Sequence, residues 1–190
     1  FNRTGVQSAD LPEVAVPVDD SHDNFTEHIV AIEHAIEDGR ENGVVDPRME
    51  RQLRELHTRQ SAHDMMEAAI AQGELAVANK TGLINAIINL TTATKEAEES
   101  GLIVDVPRAE ELLQQLNTIK PALDEIYEAI LQANVSLRTV SGMDVALARL
   151  NAAINVCQSL ELMKWIPDAE EVRDNLTNVR SAFMHLRSAV

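Results

Sequence analysis

Apolar residues recur along this chain at helical spacing, and one pattern of them is written three times. The first run reads Phe25, Ile29, Ile32, Ile36 and Gly39, the second Leu83, Ile87, Leu90, Thr94 and Ala97, the third Met143, Leu147, Leu150, Ile154 and Cys157. Steps of four, three, four and three stack side chains on one helical face, so each run predicts an amphipathic helix. Ala35, Ala93 and Ala153 keep a small residue beside each seam, where two helices approach closely. A second seam follows in every copy: Met49/Ala109/Ala169, Leu56/Leu116/Leu176, Ala62/Ala122/Ala182, Met66/Ile126/Leu186 and Ile70/Ile130/Val190.

The punctuation between the seams repeats as well. Pro47, Pro107 and Pro167 are sixty residues apart, as are Ala69, Ala129 and Ala189. A proline suits the first turn of a helix, where its missing donor costs nothing, so each second helix is expected to start there. Asp23, Thr81 and Ser141 are the expected caps of the first helices, and Gly43 and Gly101 the expected stops of the first two. Glu161 stands at the third stop, which predicts that this helix runs on or ends differently. Pro121 falls inside the second helix of the middle copy and is expected to kink or break it.

The pattern predicts an all-α fold of three tandem antiparallel helical hairpins, stacked as a short array or elongated bundle. The hairpins occupy residues 23–72, 73–132 and 133–190. Residues 1–22 differ in kind: Pro12 and Pro17 oppose a helix, and Leu11, Val14, Val16 and Val18 give an extended arm something to bury against a neighbouring subunit. No polar capping helix closes the third copy, so its outer face is expected to meet another molecule, or the chain to continue beyond Val190.

Composition agrees with helices. Hydrophobic residues make up 45% of the 190 and aromatics only 3%, a palette of Ala, Leu, Ile, Val and Met that suits helix-on-helix packing. The net charge of −15 argues against nucleic acid, whose phosphates call for clustered Lys and Arg. No apolar run approaches the length of a membrane span, so no membrane insertion is expected. The single cysteine, Cys157, lies in a seam column with Gly39 and Ala97 and reads as a small buried apolar residue.

Candidate chemistry is sparse. His28 and His34 are six apart, as are His57 and His63, a spacing that does not place two ligands one turn apart. His63 and Glu67 share a helical face and read as a surface ion pair. The acidic run from Asp19 to Asp23 lacks the alternating ligands and central glycine of a calcium loop. No phosphate loop, nucleophile elbow or paired-cysteine motif occurs, so neither catalysis nor a cofactor nor a metal is expected.

One motif does exceed background. Asn-x-Ser/Thr, the acceptor for N-linked glycans, occurs at Asn2, Asn24, Asn79, Asn89, Asn134 and Asn175. Twelve asparagines among nineteen Ser or Thr in 190 residues predict about one by chance. None of the six lies in a seam column; Asn79 and Asn134 are expected in the connections between copies, and Asn89 and Asn175 on solvent faces of helices. These features point to an extracellular or cell-surface, N-glycosylated structural protein, a homo-oligomer or subunit of a filament, sheath or surface coat. The alternative is an intracellular helical-repeat scaffold that binds a partner helix or peptide, its acidic surface favouring a basic one.

Overall fold

The computed structural model describes residues 22–44 and 46–189. Among them the chain is all-helical, with six α-helices and no strand: α1 (His22–Glu41), α2 (Pro47–Asn79), α3 (Leu83–Ser100), α4 (Val106–Val135), α5 (Val140–Ser159) and α6 (Asp168–Ser188), with a 3-10 turn at Met163–Trp165 before α6. The expected arm, with Asn2, Leu11, Val14, Val16 and Val18, lies outside the described residues, as does Val190.

Two compact units divide the chain between Gln60 and Ser61, inside α2. In the first unit, Phe25, Ile29 and Leu56 are buried. Arg40 donates to Glu50 at 3.1 Å, His57 lies 3.9 Å from Glu33, and the Gln60 amide donates to Thr26 at 3.4 Å. These polar contacts pin α1 beside the start of α2.

The second unit holds the rest of α2 and everything after it. Here α4 packs on α3, α5 and α6, and α5 packs on α6. Its core is aliphatic, including Leu90, Leu112, Leu116, Ile126, Met143 and Leu150, all essentially without solvent contact. Gly73 is a close approach within it: a Cβ there would stand 2.8 Å from Leu90 Cδ1 and 3.4 Å from Leu112 Cδ1, so the leucine side chains pack directly against the α2 backbone. The hairpin boundary expected at 72/73 thus falls inside α2, which runs on to Asn79, and that at 132/133 falls inside α4.

The first helix of each copy stops in the same way. The Val44, Leu102 and Leu162 N–H groups donate to the carbonyls of Gly39, Ala97 and Cys157, each at 2.8 Å, while Gly43, Gly101 and Glu161 donate to Arg40, Glu98 and Gln158 at 3.1, 3.2 and 3.1 Å. This pair of bonds is the Schellman stop, which needs left-handed backbone at its middle residue. Gly43, Gly101 and Glu161 supply it with φ of 71°, 74° and 56°. The expectation that α5 would end differently is therefore corrected: Glu161 takes the glycine conformation because the following leucine is drawn into the core. Leu102 and Leu162 are both 1% exposed.

Other helix ends need correction. Asp23 lies within α1 rather than before it. Gly82, not Thr81, precedes α3, and no side chain caps it. At α5 the cap is Thr139, whose hydroxyl accepts the Gly142 N–H at 3.0 Å, two residues ahead of the expected Ser141. The second helices do begin within one residue of the three prolines. Pro121 leaves α4 unbroken from Val106 to Val135, at an exposed position of the helix.

Candidate functional site

Of the six sequon asparagines, Asn79, Asn89, Asn134 and Asn175 have described side chains, and all four are exposed. Asn24 lies in the first turn of α1. Asn79 is the last residue of α2 and Asn134 sits in the final turn of α4, so both belong to helix ends rather than to the connections where they were expected. Asn175 stands on α6 one position before the buried Leu176. Asn89 differs from the others. Its amide nitrogen, the atom a glycan would occupy, donates to Gln72 at 2.6 Å in a narrow cleft between α2 and α3 shared with Met65 and Thr92.

A second surface lies on α6. Its first half is anchored by the buried Ala169 and Leu176, but residues 181–189 are exposed without exception. The seam columns of the earlier copies behave otherwise. Met66 and Ile126 are 0% exposed where Leu186 is 68%, and His63 and Leu123 are 5% exposed where Phe183 is 42%. The expected seam at Ala182 and Leu186 is thus a surface, because no described helix follows α6 to cover it. Phe183 escaped the sequence pattern, although carrying the sixty-residue period through position 123 would have found it.

Within the second unit the helix crossings are held by polar contacts at regular positions. Asn89 meets Gln72 across α3 and α2, and Arg149 donates to Gln132 at 2.9 Å across α5 and α4. Arg149 also forks onto both oxygens of Glu125, at 2.7 and 2.9 Å. Those hydrogen bonds hold the Glu125 carboxyl below the usual carboxylate range and push the Arg149 guanidinium further up. The pairing is complete above the ordinary glutamate range and fades as pH falls through the lowered value.

His63 corrects a further expectation. It is buried rather than a surface partner of Glu67, with Nε2 3.7 Å from Asp105 and Nδ1 3.8 Å from Asp64. Cys157 is buried as well, its thiol 3.6 Å from the Ala122 carbonyl and pushed up in pKa by that burial. At the end of α2, Lys80 stands over the Trp165 ring at 4.6 Å, with Lys164 over the same ring at 3.8 Å. Burial first, and the neighbouring Lys164 second, lower the Lys80 pKa.

In the first unit an open groove of about 920 Å³ runs between α1 and the start of α2. Ile36 and Leu53 line it together with Glu33, Glu37, Glu41 and Glu50, against Arg40 and Arg54. Among the described residues no group of three or more His, Cys, Asp or Glu is placed to hold a metal ion, and no helix is long and apolar enough to cross a membrane. No protein-family model matches the chain, and neither the curated proteins nor the solved structures hold a significant match to it.

Proposed function

We propose that this is an extracellular, N-glycosylated structural protein, a subunit of a filament, sheath or surface coat, built from three tandem helical hairpins and an N-terminal arm. The observation that carries the reading is the excess of sequons together with their placement: the four with described side chains are exposed and off the buried seams. Glycans there leave the packing intact, since a glycan needs solvent around its asparagine. The face of α6 and the arm then remain for subunit contact.

The hairpin repeat is supported by contacts that recur in register. The Asn89–Gln72 and Arg149–Gln132 pairs are related by sixty residues at both ends. Arg40 with Glu50 and Gln158 with Glu170 occupy matching columns, ten and twelve residues apart, because the first connection is two residues shorter. The threefold Schellman stop follows the same spacing.

Peptide mapping of the native protein tests the glycan part. Enzymatic release leaves aspartate at each occupied position, and it is expected at Asn79, Asn134 and Asn175 before Asn89, whose nitrogen is engaged with Gln72. Unmodified asparagine at all six positions in material from the native source would overturn the reading. The acidic groove of the first unit favours a second one, a scaffold taking a basic amphipathic helix between α1 and α2. Deleting residues 1–21 separates the two: the structural reading expects assembly to be lost, the scaffold reading little change.

A further inference from the structure

Resting on the reading of an assembling repeat protein, we propose that the last turns of α6 are a docking face for α1 of a second copy of this chain. In the earlier copies the matching columns are covered by the helix that opens the next hairpin. The crossing of α5 over α4 runs from Ala122, beside the Cys157 thiol, to Gln132, which accepts Arg149. The crossing of α3 over α2 reaches Gly73, where Leu90 fills the space a Cβ would need. Carried forward sixty residues from Leu123 and Ile126, that covered stretch becomes Phe183 and Leu186, both open to solvent.

The helix whose sequence fits this face is α1, because it opens its hairpin as α3 and α5 open theirs. Ile32, Ala35 and Gly39 stand in the columns of Leu90/Leu150, Ala93/Ala153 and Ala97/Cys157. Those residues are buried in α3 and α5, yet their counterparts in α1 are only half-buried. Ala35 is as small as Ala93 and Ala153, the Cβ direction of Gly39 is filled by the Val44 carbonyl of its own helix stop, and His28 stands where α3 and α5 bury Ala86 and Ala146. Charge points the same way: residues 181–189 carry His185 and Arg187 and no acid, Arg180 being engaged with Asp144, whereas α1 carries Glu27 and Asp38 outside the groove that Glu33, Glu37 and Glu41 line. In a chain of net charge −15, an acid-free helix end is the surface on which an acidic helix of the same chain is not repelled.

The two faces are different surfaces, so the contact is heterologous and joins copies head to tail. Sedimentation equilibrium of the unglycosylated 190-residue chain is expected to show concentration-dependent association that weakens with added salt. The double variant Phe183→Ser/Leu186→Glu changes only exposed positions, keeps its helical circular dichroism, and is expected to associate about tenfold or more weakly. Ala35→Arg, altering the opposite face, is expected to do the same. Mixing the two variants is expected to restore a dimer that grows no further, since each keeps one intact face.

A wild-type chain that stays monomeric to its solubility limit overturns the proposal, as does undiminished association of the α6 variant or failure of the mixture to pair. Occupied sequons and filaments in native material, alongside any of those results, would leave the structural reading standing and remove this contact alone.

Discussion

Glu161 holds a left-handed backbone at φ 56°, where Gly43 and Gly101 do the same work without a Cβ. For an L-residue that conformation costs about 1–2 kcal/mol, and the side chain of Glu161 is exposed and makes no core contact that repays it. Glu161→Gly is therefore expected to stabilise the protein by about 1 kcal/mol in denaturant titration. Gly101→Ala is expected to destabilise by a similar amount. The stop at 161 was hard to read because the residue that matters there is its neighbour: Leu162, like Leu102, is drawn into the core, whereas Val44 at the first stop is exposed and the turn rests on Gly43. Caps were illegible for a different reason. Thr139 and Ser141 are both good acceptors two residues apart, and the difference between two such caps is a few tenths of a kcal/mol.

At the scale of elements, the seams were the legible part. Period and identity placed Phe25, Leu90, Leu116, Ile126, Met143 and Leu150 in the core from spacing alone, and the three prolines located the second helices to within one residue. Of the kink or break expected at Pro121, the break does not occur. The helix runs through it because Ala122, Leu123 and Ile126 just beyond are buried, and that burial outweighs one lost backbone bond. The cost remains in α4 all the same. Pro121→Ala at this exposed position is expected to raise the denaturation midpoint, by about 1 kcal/mol or more in stability, with unchanged helix content by circular dichroism. His63 was misread since a histidine next to acids on a helix reads as surface, while its column, shared with Leu123, belongs to the inside.

Across the whole molecule, burial is distributed unevenly. Of the described residues up to Gln60, the buried apolar side chains are Phe25, Ile29 and Leu56, whereas the unit from Ser61 onward carries the rest of the core. Local opening follows the number of buried apolar contacts, so amides of α1 are expected to exchange with solvent deuterium faster than those of α3, α4 and α5. Equal protection in α1 and α4 by native-state hydrogen exchange would contradict that. The sequence could not reveal the imbalance, because the seam of α1 is as apolar as those of α3 and α5, and what differs is how much is packed over it.

Trp165 is the chain's single tryptophan, and it sits in the 3-10 turn between Lys80 and Lys164. The chain thus carries its own optical probe, placed where the end of α2 meets the turn before α6. Intrinsic fluorescence excited at the indole reports on the unit from Ser61 onward and is silent about the first, while circular dichroism sees the helices of both. Two unfolding curves recorded on one sample by these two signals are therefore a measure of whether the units melt together, with no label attached.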